Sequence, residues 1–260
     1  MRVLFCLALA TIGCAPIATT GGRGVAYSED AQQAYENALE AFRRDNCLDA
    51  EPAFRRVRRE FPYSRFAALA ELRVADCKFK GGQYAEAITA YRQFIRFRPS
   101  HSQIEYARFR VAESHYKQIP TEWFFSPPTH ERDRQATEDA LRQLRRYLLD
   151  YPDSERIAEA REMMQRCIDV LAAHEMYAAK FYLRRDAYPA VINRLQTLLR
   201  TYDRSAYEVE ALMLLAETYL RLDDRGRARS AYEEIVERYP ESSEASDARS
   251  AIRSIDARAR

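Results

Sequence analysis

Glycine is scarce in this chain of 260 residues. Of seven glycines, four (Gly13, Gly21, Gly22 and Gly24) stand before residue 25, leaving Gly81, Gly82 and Gly226 for the rest. Loops that cradle phosphate and turns that expose a nucleophile use clustered glycines to bring backbone close to a ligand. No such cluster exists in the body, which argues against the common nucleotide-binding and hydrolase folds. Histidine is sparse too: His101, His115 and His130 are scattered and accompany no cysteine pair. His174-Glu175 opens like a zinc-protease motif, but the residue four after His174 is Ala178, so no metal is expected. Neither sign of charge is in excess: 41 Lys and Arg face 39 Asp and Glu, a net of +2. That balance argues against nucleic acid as a partner. Only Lys78, Lys80, Lys117 and Lys180 are lysines, so the basic side chains are almost all arginine. No internal apolar run is long enough to span a bilayer.

The N-terminus is different in character. Arg2 precedes an apolar stretch over residues 3–12, the length of a secretory signal and too short for a membrane span. It ends in Ala10-Thr11-Ile12-Gly13-Cys14, which resembles the lipobox of bacterial lipoproteins, with Thr11 where leucine is usual. On that reading residues 1–13 are removed and Cys14 becomes the acylated N-terminus. A multiply acylated cysteine anchors stably at a membrane. The alternative is an ordinary signal peptide with an incidental cysteine. Ala15, in place of aspartate, favours the outer membrane over inner-membrane retention. Residues 14–27 read as a flexible tether. Of the remaining cysteines, Cys47 and Cys77 either pair or join Cys167 as small buried hydrophobes.

What the body has is a repeated frame. In residues 81–99 a glycine turn, an amphipathic helix and a proline stop follow one another. Ala87, Tyr91 and Phe94 share one helix face, and Pro99 closes it. The frame recurs as Ala50, Phe54, Val57 and Pro62, then as Ala140, Leu144, Tyr147 and Pro152. It recurs again as Ala190, Arg194, Thr197 and Tyr202, and as Ala228, Tyr232, Ile235 and Pro240. Successive alanines are 37, 53, 50 and 38 residues apart. A second helical pattern precedes each copy, as in Val74-Ala75 and in Leu215, Ala216 and Tyr219. Helical pairs of this pattern resemble the tetratricopeptide repeat. The expected fold is all-α, a right-handed superhelical solenoid of about five helical hairpins. Serines two residues past the prolines (Ser64, Ser154, Ser242) are ready N-caps for the following helices.

Two insertions stand out. Residues 118–132 hold Trp123-Phe124-Phe125, which either folds back on the solenoid or meets a partner. Ala160, Met163, Met164, Cys167 and Leu171 extend the first helix of repeat 4 into one long helix through Arg184. Carboxylates follow the solvated faces, so no acid–base pair stands out and the chain reads as no enzyme. Solenoids expose long surfaces suited to peptides and partner domains.

The order of these elements resembles the outer-membrane assembly lipoprotein BamD (ComL) family. The resemblance rests on Phe61-Pro62-Tyr63-Ser64-Arg65-Phe66-Ala67, on Gly82-Gln83-Tyr84, and on Glu131-Arg132-Asp133. It rests further on Leu171-Ala172-Ala173-His174-Glu175, Phe181-Tyr182-Leu183-Arg184-Arg185-Asp186-Ala187-Tyr188 and Val191-Ile192-Asn193-Arg194. It implies a non-catalytic outer-membrane lipoprotein, lipid-anchored through Cys14 at the periplasmic face, with no cofactor. The implied partners are the POTRA domain of a barrel insertase (BamA-like), other assembly-complex lipoproteins and unfolded β-barrel proteins. Residues 28–170 would carry the substrate-signal groove and residues 171–260 the insertase docking surface. Asn193 and Arg194 are the docking candidates, with an intramolecular pair to a nearby carboxylate as the alternative for Arg194. Tyr35, Phe42, Arg43, Leu72, Phe79 and Lys80 are the groove candidates, each with inter-repeat core as its alternative. Aromatics beside Arg and Lys suit a peptide ending in an aromatic residue and a carboxylate. A second reading of the chain is a periplasmic adaptor for pilus or cell-wall assembly.

Overall fold

The computed structural model describes residues 21–119 and 134–258, and the Trp123 segment and Cys14 lie outside them. Within them run eleven α-helices: α1 (Gly21–Arg43), α2 (Cys47–Glu60), α3 (Arg65–Lys80), α4 (Tyr84–Phe97), α5 (Ile104–Lys117), α6 (Gln135–Asp150), α7 (Ile157–Leu183), α8 (Tyr188–Thr201), α9 (Glu208–Arg221), α10 (Arg225–Arg238) and α11 (Ser243–Arg258). No strand occurs among the described residues. The fold is all-α and built of helical hairpins, as the periodicity required. Helix α1 begins at Gly21, several residues inside the stretch expected to be a tether. None of the described helices is long and apolar enough to cross a membrane.

The chain divides into two compact units, residues 1–74 and 75–260, with the division inside α3. In the first, α1 packs on α2 through Ala31, Tyr35 and Ala38 against Ala50, Phe54 and Val57, all buried. In the second, α4 packs on α5, α5 on α6, and so on in chain order to α11. One continuous core there runs from Phe109 to Ile255. Both features follow from a hairpin that cannot bury its apolar stripe alone and must stack on its neighbours.

Four of the hairpin turns are the same turn. In each, a residue two or three positions past the helix end adopts the left-handed conformation: Asp45 (φ 58°), Gly82 (φ 73°), Asp186 (φ 53°) and Asp223 (φ 55°). The residue that follows reaches back with its N–H to the helix, as Asn46 to the Ala41 carbonyl and Gln83 to that of Lys78. Ala187 to Tyr182 and Asp224 to Tyr219 repeat the bond. This pairing is the Schellman closure, which satisfies carbonyls left over at a helix end. Asn46 and Asp224 then cap the second helix, accepting from Asp49 N at 3.2 Å and Arg227 N at 3.0 Å. Two of the three expected serines cap the helix that follows; Ser154 does not, for the N-cap of α7 is Arg156, whose N–H donates to Ser154 Oγ at 3.0 Å. Ser64 Oγ accepts from Ala67 N at 3.2 Å and Ser242 Oγ from Ala245 N at 3.1 Å.

The frame of repeat 4 needs correcting. Its buried stripe is Val191, Leu195 and Leu198, one residue later than Ala190, Arg194 and Thr197. Tyr202 is the C-cap of α8, as Phe61, Tyr151 and Tyr239 are of α2, α6 and α10. The proline position is therefore Asp203, and Arg194 never stood at an apolar position. The aromatic C-cap, not the proline, marks the register here. The extended first helix of repeat 4 is present as α7, 27 residues long, with Ala160, Met163, Cys167 and Leu171 buried. Cys47, Cys77 and Cys167 are free thiols, the last two buried.

Candidate functional site

Repeat 4 brings charged side chains together at a buried carboxylate. Glu175 projects from α7 with its side chain 1 % exposed. Arg134 Nη1 donates to its Oε1 at 2.8 Å and Arg194 Nη1 to its Oε2 at 3.2 Å. Arg134 also donates through Nη2 to the Tyr202 hydroxyl at 3.0 Å, and pairs with Glu138 at 2.9 Å. Burial raises the Tyr202 pKa, against the pull of Arg134. Removing a carboxylate from water costs several kcal/mol, which two guanidinium groups offset here. Both arginines keep an outward side, at 30 % and 38 % exposure for Arg134 and Arg194. Arg194 therefore does two things: it neutralises Glu175 and presents a half-exposed cation beside the exposed Asn193. The intramolecular alternative for Arg194 is realised, and it leaves donors free to face outward.

Arg134 and Tyr202 escaped the sequence reading. Arg134 stands directly after the quoted Glu131-Arg132-Asp133, and nothing in its own spacing signals a partner 41 residues on. Tyr202 was legible as the equivalent of Tyr151 and Tyr239 once the register is right.

The six groove candidates separate into two kinds. Tyr35 and Leu72 are core. Tyr35 lies on the α1 stripe that faces α2, its ring 5.6 Å from those of Phe54 and Phe66. Leu72 is 0 % exposed on α3, a helix whose Ala67, Ala68, Ala70, Val74, Ala75 and Cys77 are buried as well. A helix covered on most sides has no groove face at that position. The other four come as two aromatic–cation pairs at the ends of α1 and α3. Phe42 is half-buried, 6.2 Å edge-on to Phe54, with the Arg73 guanidinium 5.8 Å over its ring; Arg43 beside it is exposed. Phe79, in the second unit, lies 5.3 Å from Tyr84 and under Arg110 at 3.6 Å, with Lys80 exposed next to it. Phe42 and Phe79 each stand three residues before the left-handed residue of their turn, so the repeat itself generates the pairs.

Two further networks are structural. Buried Asp76 accepts from Tyr91 Oη at 2.5 Å and Tyr106 Oη at 2.9 Å, and Arg110 donates to Tyr91 Oη at 3.2 Å. Burial, then the Asp76 charge, raises the Tyr91 pKa well above the ordinary tyrosine value. Glu105 on α5 accepts from Tyr147 Oη and, at 2.8 Å, from Ser154 Oγ, with Arg156 3.4 Å away. Burial alone would raise the Glu105 pKa, but the Tyr147 and Ser154 hydrogen bonds and the Arg156 charge outweigh it and hold it low. Tyr147 is pushed up to about 12 by burial and by that same hydrogen bond. Tyr147 of the second network also lines a cleft between α4, α5 and α6.

Hairpins stacked side by side, with charged networks gathered between the helices, define an all-α helical-repeat protein. Comparison with known proteins names the family. The chain belongs to the YfiO family, described as outer membrane lipoprotein, whose model matches residues 28–233. Curated relatives carry the name "Outer membrane protein assembly factor BamD". The one from Xylella fastidiosa (strain 9a5c) is 29 % identical over 199 residues, 76 % of this chain and 68 % of the relative. That from Caulobacter vibrioides is 31 % identical over 188 residues, 72 % of this chain and 59 % of the relative. That from Neisseria meningitidis serogroup B is 26 % identical over 200 residues, covering 74 % and 73 %. Among solved structures, the TPR2AB-domain:pHSP90 complex of yeast Sti1 is similar with a TM-score of 0.46 and 9 % identity. It covers 89 % of this chain and 84 % of that one.

Proposed function

We propose that this chain is an outer membrane protein assembly factor, a non-catalytic lipoprotein scaffold that joins unfolded β-barrel proteins to the machine that inserts them. The observation that carries the reading is the family membership over residues 28–233, together with the two-sided Arg194. Asn193 and Arg194 offer an exposed amide and a half-exposed guanidinium on α8, suited to an acidic edge of the insertase's POTRA domain. The Phe42–Arg43 and Phe79–Lys80 pairs each suit a terminal aromatic and carboxylate of an incoming chain. Acylation of Cys14 would hold the protein at the periplasmic face of the outer membrane.

The pairing of Arg194 with Glu175 decides how the docking contact is tested. Arg194→Glu would set a second carboxylate against the buried Glu175, so lost binding would report misfolding. Arg194→Gln with Asn193→Lys avoids that, because Arg134 still neutralises Glu175. With an unchanged Tm, we expect the tagged variant to recover much less of the barrel insertase from membranes than wild type. Equal recovery would remove Asn193 and Arg194 from the interface. Capture of a pilin or a cell-wall synthase in place of the insertase would favour the adaptor reading.

A further inference from the structure

Arg134 stands one residue before α6 and far along the chain from Arg194, yet the two share one carboxylate. Glu175 offers two buried oxygens, and each arginine takes one of them. Arg134 Nη1 holds Oε1 at 2.8 Å, while Arg194 reaches Oε2 at 3.2 Å and only through Nη1. A guanidinium and a carboxylate left to themselves form a two-pronged fork, with two N–H groups on two oxygens. Here Arg134 occupies the second prong. The other nitrogens of Arg194, Nε and Nη2, carry no hydrogen bond and are not closed off, the side chain being 38 % exposed. Arg134 is itself held from its far side. Its Nη2 donates to the Tyr202 hydroxyl at 3.0 Å and meets Glu138 Oε1 at 2.9 Å. The C-cap of α8 and the first turn of α6 thus fix the guanidinium that Glu175 shares.

We propose that Arg134 is a positioning residue for partner binding. By occupying Glu175 Oε1 it keeps Arg194 on a single prong, so that the rest of that guanidinium is left for an acidic group of the partner. Without Arg134 the buried carboxylate would be poorly paired, which is costly, and it would draw Arg194 inward to complete the fork. Tyr202 belongs to the same device, because its hydroxyl anchors Arg134 and so keeps Oε1 occupied. The role rests on the docking contact proposed for Asn193 and Arg194. It adds to that contact two residues that act through Arg194 rather than by touching the partner.

The test titrates the full chain against the detergent-solubilised barrel insertase at low and high salt, with Tm and far-UV circular dichroism checking that each variant is folded. We expect Arg134→Ala to weaken the apparent Kd about tenfold and to flatten its salt dependence, because the cation facing the partner has turned inward. Tyr202→Phe keeps the buried ring and removes only the anchor for Arg134, and should weaken binding about threefold. Glu175→Gln removes the charge that draws Arg194 inward, so in that background Arg134→Ala should cause no further loss. A loss that persists beside Glu175→Gln would mean that Arg134 meets the partner itself or merely supports the fold, and would overturn the proposal. Wild-type affinity in Arg134→Ala or Tyr202→Phe, while Arg194→Gln with Asn193→Lys binds weakly, would overturn it too and leave the docking contact standing. Wild-type affinity in all of them would remove the contact and the positioning role together.

Discussion

Asp45, Asp186 and Asp223 hold a backbone conformation that costs a residue with a Cβ about 1 kcal/mol, and Gly82 shows the unstrained solution at the same turn. Asp223→Gly should therefore stabilise the second unit by only a few tenths of a kcal/mol, since the strain relieved is offset in part by the freer unfolded chain and by the loss of the exposed Asp223–Arg225 pair. Urea denaturation would read it as a higher midpoint at unchanged m. Glu105 makes a prediction of a different kind. Its pKa is held below the ordinary glutamate value, so the stability it contributes is complete above that value and is lost as pH falls through the lowered one. The Tm difference between wild type and Glu105→Gln should be constant from about pH 6 to 8 and shrink below about pH 4. A difference that persists undiminished into acid would show that the hydrogen bonds, not the charge, matter there.

At the scale of the element, each second helix is an apolar stripe of three residues with a charged back. Phe94 is fully buried on α4, and Phe94→Ala should cost about 3–5 kcal/mol, because a close-packed interface cannot collapse into the space. The charged backs are laced by pairs such as Arg56–Glu60, Arg55–Glu51 and Arg229–Glu233, each one helical turn apart. Exposed pairs of this kind contribute a few tenths of a kcal/mol at most, so most of the 31 % charge serves solvation. The helices and their order were legible from spacing alone, since three- and four-residue intervals leave one helical face to be apolar. The register of repeat 4 was not, because Ala190 is also small and Thr197 is not polar enough to exclude. The aromatic C-cap at Tyr202 would have settled it.

Across the second unit, Glu175 ties together the residue before α6, the long α7 and α8. Removing Arg134 or Arg194 alone leaves the carboxylate one guanidinium; removing both leaves it buried and bare. A double-mutant cycle with Arg134→Ala and Arg194→Ala should show the pair costing more than the sum of the singles. The double variant should approach the 3–5 kcal/mol of an uncompensated buried charge. Strict additivity would mean that water reaches Glu175. For the whole protein, Cys14→Ala should move the chain from the membrane fraction to the soluble one.

The sequence by itself determined the all-α hairpins, their five-fold repetition, the serine caps at Ser64 and Ser242 and the long α7, because each is a matter of residues within one or two turns of one another. Family membership was legible for a related reason: its motifs are contiguous. Only the tertiary structure decided which groove candidates are core. Tyr35, Phe42, Leu72 and Phe79 look alike in a helical pattern, and their burial depends on what is stacked against each face. It alone decided that Arg194 answers Glu175 and that Arg134 joins it, since charge pairing acts through space between helices whose separation in the chain carries no signal.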